Sequence, residues 1–485
     1  MATVRQQDQS GSSDIGTKKA PADGATRSTR GALAALSLSI LLSSLGTSIA
    51  NVGLPALAEA FGASFQEVQW IVLAYLLAIT TLIVSMGRLG DMFGRRRLLL
   101  AGLWLFTAAS VISGFAPTLM MLVVARGVQG LGAAIMMALA MALIGETVPR
   151  DRTGGAMGLL GTMSAVGTAL GPSLGGLLIS GFGWRAIFLV NVPLGLLALL
   201  FVRRHLPADD TAQDRKNAGF DLIGTLLLAS TLAAYALAMT LGRGGFGPLN
   251  MVLLGLAGLG ATVFTVAEAR IASPLIRLST IRQPFLGGSL AMGLLVSTVM
   301  MATLVVGPFY LSRALGLNAA MAGLLLSVGP VISMLSGIPA GRIIDRLGAP
   351  SMVAAGLLAM TTGCVALSFL PAVLGIGGYV AAIAILTPGY QLFQAANNTA
   401  VMLDVSPEQR GAVSGMINLS RNLGLVTGAS VMGAVFASAT GTTDMLAASA
   451  QAVGAGMRTT FLVAAGLTGL ALVIALASRR AADRS

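Results

Sequence analysis

Apolar runs of about twenty residues recur fourteen times between positions 31 and 478, and they constrain the fold more than any other feature. Wound at about 1.5 Å per residue, such a run crosses a hydrocarbon core about 30 Å thick. Backbone N–H and C=O groups find no water there, so a spanning segment must satisfy them internally, as a helix does. The chain is therefore expected to be an all-α polytopic membrane protein. Only 10% of its 485 residues are charged, against about 25% in ordinary soluble domains. Its 62 glycines suit close helix packing.

The runs fall into groups of six, two and six. The first six lie near 31–54, 69–88, 97–115, 119–146, 155–180 and 184–204. Two follow near 220–241 and 249–268. The last six lie near 285–310, 319–341, 351–370, 374–399, 411–438 and 458–478. This layout predicts two six-helix bundles plus two extra central spans, 14 transmembrane helices in all. The expected divisions are a disordered cytoplasmic tail (1–30), an N-terminal bundle (31–204), a linker with the two extra spans (205–284), a C-terminal bundle (285–480) and a short cytoplasmic tail (481–485). With the N-terminus inside, the cytoplasmic segments carry 24 Lys and Arg and the external loops carry 4. That asymmetry places both termini in the cytoplasm. It also explains the net charge of +12 as a topology signal, with no nucleic-acid partner implied. Arginine outnumbers lysine 27 to 3, a usage that suits a GC-rich bacterial genome and hence the inner membrane. One cysteine, Cys364, and one histidine, His205, exclude a disulfide framework and a Cys/His metal cluster. No metal or organic cofactor is expected, and no catalytic residue: an intramembrane enzyme needs a buried constellation of His, Cys or carboxylate, and the spans offer none.

Between the second and third runs stands Gly87-Arg88-Leu-Gly-Asp91-Met-Phe-Gly94-Arg95-Arg-Arg97. A weaker copy, Gly341-Arg-Ile-Ile-Asp345-Arg-Leu-Gly348, follows 254 positions later. Both read as short charged loops that hinge between spans, and the duplication points to two similar halves that move against each other. At an offset of 257, Gly158, Gly167, Gly171 and Gly176 match Gly415, Gly424, Gly428 and Gly433. The run Gly167, Gly171, Pro172, Gly175, Gly176 forms a stripe of small residues for close helix contact, with the proline able to kink it. Arg126 stands within the fourth span, where a charge costs about 2.5–3.5 kcal/mol on insertion scales. It and Gln129 are therefore candidates for a transport cavity. Polar stripes add Asn51 (with Ser44, Thr47 and Ser48), Gln391, Gln394 and Asn397 (with Asn398), and Arg421 (with Asn418 and Asn422).

Three of these motifs together resemble signatures of the major facilitator superfamily: the Gly87–Arg97 segment, Arg126-Gly-Val-Gln129-Gly130, and the Gly167–Gly176 stripe, which resembles its antiporter motif. Trp184-Arg-Ala-Ile-Phe-Leu-Val-Asn-Val-Pro-Leu-Gly195 and Asn51-Val-Gly-Leu-Pro55 resemble signatures of its fourteen-span drug:proton antiporters. The resemblance implies alternating access around a central cavity, with Asp91 and Arg95 latching the bundles at the cytoplasmic face. Arg88, Asp345 and Glu146 join this latch and coupling set, with a proton gradient as energy source. One departure stands out. The family's first-span acidic position falls on Gly46, and no Asp or Glu lies deep in any span. With Arg126 and Arg421 as the deep charges, a low-dielectric cavity favours anionic or neutral small molecules over cations. The expectation is a monomeric exporter of a drug-like or natural-product molecule. The alternatives are a facilitator or importer of a small metabolite, or a membrane sensor or enzyme.

Overall fold

The structure, a computed structural model, describes residues 22–147, 153–207, 222–241, 247–270, 284–403, 410–441 and 448–482. Its elements are α1 (Ala22–Val52), α2 (Leu54–Phe61), α3 (Phe65–Phe93), α4 (Arg95–Gly114), α5 (Leu119–Thr147), α6 (Thr153–Phe182), α7 (Ala186–Leu189), α8 (Asn191–His205), α9 (Leu222–Thr240) and α10 (Pro248–Glu268). There follow α11 (Pro284–Phe309) with a π-helical turn (Tyr310–Ala314), α12 (Ala319–Leu347) and α13 (Ala349–Leu403). Last come α14 (Arg410–Thr427) with a π-helical turn (Gly428–Met432), α15 (Gly433–Thr440) and α16 (Ala450–Ala482). Among the described residues there is no strand, and thirteen helical stretches are long and apolar enough to span a membrane. One of these, Ala349–Val401, has 53 residues, about 80 Å if straight and far more than one crossing needs. It folds back at Gly375 (φ 56°, ψ −129°) and so makes two passes. Fourteen passes result, as the sequence pattern predicts. Helix α1 starts at Ala22, so it takes in nine residues of the segment expected to be a disordered tail; residues 1–21 lie outside the described residues.

The two hinge motifs are not loops. Helix α3 continues through Arg88 and Asp91 to Phe93, and α4 begins at Arg95. The break is a single residue, Gly94, at φ 96° and ψ 126°, a region open to glycine because it has no Cβ. Gly348 makes the same break between α12 and α13 at φ 81° and ψ 141°. Each glycine N–H closes the preceding helix on a carbonyl four residues back, Gly90 and Ile344, both at 2.9 Å. The other ends of α3 and α12 match as well. The Ser64 side chain caps α3, accepting from Glu67 N–H, and the Asn318 side chain caps α12, accepting from Met321 N–H. The positive-φ turns before them are at Gly62 and Gly316. All three pairs (62 and 316, 64 and 318, 94 and 348) are 254 apart, so α3 and α12 are equivalent along their whole length.

Packing repeats too. Helix α1 packs on α6 and α8, and α11 packs on α14 and α16. A Cβ at Gly167 would stand 2.6 Å from the Leu41 carbonyl oxygen and 2.9 Å from Ser44 Cβ. A Cβ at Gly424 would meet the Leu294 carbonyl and Ser297 Cβ, the corresponding atoms of α11. The extra pair α9 and α10 pack on each other, and α9 lies along α3 and the second π turn. Trp70 Nε1 donates to Thr240 Oγ1 at 3.1 Å, and the Ser85 and Thr225 hydroxyls pair at 2.8 Å. Of the 21 residues of α10 only Asn250, Ala257, Phe264 and Glu268 are buried, which puts it at the rim.

Candidate functional site

The two halves meet toward the end remote from the chain termini, hereafter the far end. Phe65, on the first turn of α3, lies edge-on to Phe309 at the end of α11 (centroids 4.8 Å apart) and tilted against Phe436 of α15 (5.3 Å). All three rings are fully buried. Beside them Gln69 Nε2 crosses to the Ala429 carbonyl at 3.0 Å. That carbonyl lies in the π turn of residues 428–432, where the regular i→i−4 ladder is interrupted. Gly433 leaves room for the Gln69 amide, which a Cβ would strike. On the opposite seam Gly176 of α6 meets Ala319 and Gly323 of α12, and Gly323 faces the Pro172 carbonyl. The Ala320 N–H donates to Ser180 Oγ at 3.1 Å. A rim contact of 4.0 Å joins Arg313 to Glu59; exposed as it is, it contributes little.

The small-residue stripe thus has two faces. Gly167, Gly171 and Gly175 recur every four residues and lie on α1, against Leu41, Ser48 and Ile49. Pro172 and Gly176 are turned toward α12 in the other half.

The candidate cavity residues divide. Arg126 is fully buried. Its Nε donates to the Ile71 carbonyl (3.0 Å) and its Nη2 to the Gly46 carbonyl (3.0 Å), while Nη1 donates to Gln129 Oε1. Its guanidinium lies 4.1 Å from the Tyr75 ring centroid. Gln129 passes the chain on, donating to Ser110 Oγ at 2.7 Å, and Tyr75 Oη donates to the Ser43 carbonyl at 2.8 Å. The expectation that Arg126 and Gln129 line a cavity is therefore corrected: they tie α1, α3, α4 and α5 together. The physical reason is that a planar fork of five donors can be satisfied by carbonyl dipoles and a π face without water. Asn51 is corrected likewise. It is 1% exposed, and its Nδ2 donates within its own helix to the Thr47 carbonyl at 2.9 Å.

Arg421 stays exposed. On α14 the positions 418, 421 and 425 recur at helical spacing on one face, which leads to Ala429 at the start of the π turn, where α3 is met at the far end. Register therefore turns Arg421 and Asn418 to the side of α14 that faces α3 in the other half, about 16 Å in from the start of α14 for Arg421. Gln391, Gln394 and Asn398 share a face of the second limb of α13 at a similar depth; the first two are half-buried and Asn398 is exposed. Gln394 Nε2 donates to Tyr390 Oη at 3.2 Å. Asn397 differs: it is buried and turned to α11, its Nδ2 3.4 Å from the Ser289 carbonyl.

Of the terminal-end set, Arg95 Nη1 donates to the Ala142 carbonyl at 3.4 Å, which holds it against α5. Asp345 is exposed. The side chains of Arg88, Asp91 and Glu146 lie outside the described residues. The aromatic plug and Gln69 were not found by sequence reasoning. Three phenylalanines scattered through an apolar chain carry no local signal; the one signal available, left unread, was the amide pair Gln66 and Gln69 on the first turns of a span.

Comparison with known proteins agrees with this geometry. The family model described as Major Facilitator Superfamily matches residues 36–429. The riboflavin transporter RibZ of Clostridioides difficile (strain 630) is 28% identical over 450 residues, 92% of this chain and 97% of that one. The multidrug resistance protein Stp of Mycobacterium tuberculosis (strain CDC 1551 / Oshkosh) is 30% identical over 416 residues, 84% of this chain and 75% of Stp. A bacterial homologue of the human lysosomal transporter Spinster, in an inward-facing and unoccupied conformation, superposes with a TM-score of 0.68 at 17% identity, covering 93% of this chain and 97% of that one. With fourteen helical passes in two equivalent halves and a family match over most of its length, this chain is a multi-pass membrane transporter and belongs to the Major Facilitator Superfamily.

Proposed function

We infer that this chain exports a drug-like or natural-product small molecule across a bacterial inner membrane, by alternating access and proton antiport. The observation that carries the reading is the set of polar side chains Gln391, Gln394, Asn398, Asn418 and Arg421 that are not fully buried, on the terminal side of the Phe65 plug; in this reading they line a gap between the halves. Several relatives named as drug efflux proteins support it. The charge asymmetry of the loops puts the termini in the cytoplasm, so the gap faces the side from which an exporter loads. Arg421 is the charge aimed at this gap, and it favours an anionic or neutral substrate. Arg88, Asp91, Arg95, Glu146 and Asp345 are assigned to the terminal face, where pairing that changes between states would latch it and carry the coupled proton. The protein acts as a monomer in this reading. Everted vesicles test it. An imposed proton gradient should drive uptake of anionic and neutral fluorescent dyes, and Asp91→Asn should abolish that uptake at matched expression. Gradient-independent equilibration would replace antiport by facilitation.

A second reading, transport of a flavin-like metabolite, is favoured by RibZ, which the chain matches over nearly its full length. Riboflavin counterflow in the same vesicles distinguishes it.

A further inference from the structure

The 254-residue repeat makes one asymmetry readable. On α12 the residues facing the other half are Ala320 and Gly323, and that seam is tight, backbone against backbone. The equivalent positions on α3 are Gln66 and Gln69. Gln69 spends its amide on the Ala429 carbonyl. Gln66 does not close its seam. A cavity of about 480 Å³ remains there, between the start of α3, the far ends of α9 and α10, and α15 and α16. Its walls include Met239, Val431, Ala434 and Val435, and exposed Ser438 and Thr459 stand among its lining residues. Asn250 also lines it but is saturated: it donates to the Ala238 and Leu241 carbonyls and accepts from Gly247 N–H. Gln66 is only 5% exposed, and among the described residues neither its Nε2 nor its Oε1 has a hydrogen-bond partner.

A buried carboxamide without partners is strongly disfavoured, and buried polar groups are as a rule paired. The volume lies within the range of small-molecule sites, which are mostly apolar with a few placed polar groups. We propose that this cavity is a binding site, separate from the transport gap, for a neutral, largely apolar molecule carrying a primary amide or lactam edge. Such an edge offers a donor and an acceptor side by side, the complement of the Gln66 carboxamide, whose N and O are covered in this structure and turn to the ligand by a rotation of the side chain. Met239, Val431 and Val435 take the apolar body. Among the described residues that line the cavity none is charged, which favours a neutral ligand. Its walls come from both halves and from the extra helix pair, so occupancy favours the arrangement in which the far end is closed.

The test uses the full-length protein in lipid nanodiscs and two photoreactive probes. One is 4-[3-(trifluoromethyl)-3H-diazirin-3-yl]benzamide; the other is the toluene of the same shape, lacking the amide. Labelled peptides are mapped by mass spectrometry. The site predicts labelling of the peptide containing residues 431–439 by the amide probe, saturable and competed by excess benzamide. It predicts at least a tenfold loss of that saturable labelling in Gln66→Leu, which removes only an unpartnered amide and should fold normally. Ser438→Trp, at an exposed position of the lining, should block labelling without disturbing the core. Equal labelling by both probes, unchanged in Gln66→Leu and Ser438→Trp, would mean partition from the lipid alone and overturns the proposal. So would the absence of saturable labelling in the unaltered protein. Because the assay reads binding and not transport, its outcome is independent of whether the export reading holds.

Discussion

At the scale of single residues, Arg126 is a buried charge held by the packing of its own half. Arg126 is the largest fully buried side chain, and its donors go to two main-chain carbonyls and one amide. Arg126→Leu leaves the Gln129 carbonyl unpaired, at about 1–3 kcal/mol, and vacates the space over the Tyr75 ring. Arg126→Lys should fare little better, since an ammonium cannot form the planar fork or stack on that ring. Both variants are expected to lower the midpoint of thermal inactivation in detergent; an unchanged midpoint in Arg126→Lys would return the residue to the candidates for transport. The same network changes the meaning of Gly46. Its carbonyl accepts from Arg126, and a Cβ there would stand 2.9 Å from Tyr75 Oη and 3.2 Å from Phe106 Cζ. A carboxylate restored at this position would enter a packed core rather than an open cavity. Gly46→Asp is therefore expected to lose stability by an overpacking cost of about 1–3 kcal/mol and to gain no export of lipophilic cations. Growth in the presence of such cations, with protein levels measured alongside, decides it.

At the scale of elements, one helix carries two packing functions five residues apart. Gly171 faces α1 within its own half, so Gly171→Leu should force α1 and α6 apart in every conformation and reduce the amount of folded protein. Gly176 faces α12 in the other half, so Gly176→Leu should fold but fail to close the far end. A cysteine at Ser180, which accepts from the Ala320 N–H across the seam, reports the difference. Its maleimide reactivity should rise in Gly176→Leu, whereas equal reactivity in folded Gly176→Leu and the parent would show that the seam tolerates bulk. Much of this level was legible in the sequence. Span count followed from length and apolarity, and the duplication from the spacing of Gly94 and Gly348 with their neighbouring aspartates. The glycine stripe was legible as packing but not its two faces, because which neighbour a face meets depends on where distant helices lie. The charged hinges were misread as loops for a related reason: polar composition suggests a loop, but a helix can carry charges past the membrane and stop on one glycine. Arg126 was placed in a cavity because an intramembrane charge implies a partner, and sequence does not reveal that carbonyls and an aromatic face supply it.

At the scale of the whole molecule, the question is what holds one end shut. The plug is two aromatic contacts, Phe65 with Phe309 and Phe65 with Phe436, and both depend on the single ring from the N-terminal half. Such pairs contribute about 0.5–1.5 kcal/mol each beyond the area they bury. Removing Phe65 therefore withdraws about 1–3 kcal/mol from the far-end-closed state alone. A bias of that size moves a two-state equilibrium by about 5- to 150-fold. Phe65→Ala should accordingly raise the population open at the far end while leaving each half intact, because the Arg126 network and the α1–α6 seam do not involve it. The readout is a cysteine at Asn418, on the face of α14 that looks into the gap, in a Cys364→Ala background. With Phe65 present, a membrane-impermeant thiol reagent should reach it from the terminal side only, that is, in everted vesicles and not in intact cells. In Phe65→Ala, labelling should appear from the opposite side and decline from the terminal side. If the Asn418→Cys thiol reacts from the far side equally with and without Phe65, the three rings are packing and not a gate, and the closed end must be held by the α6–α12 seam instead.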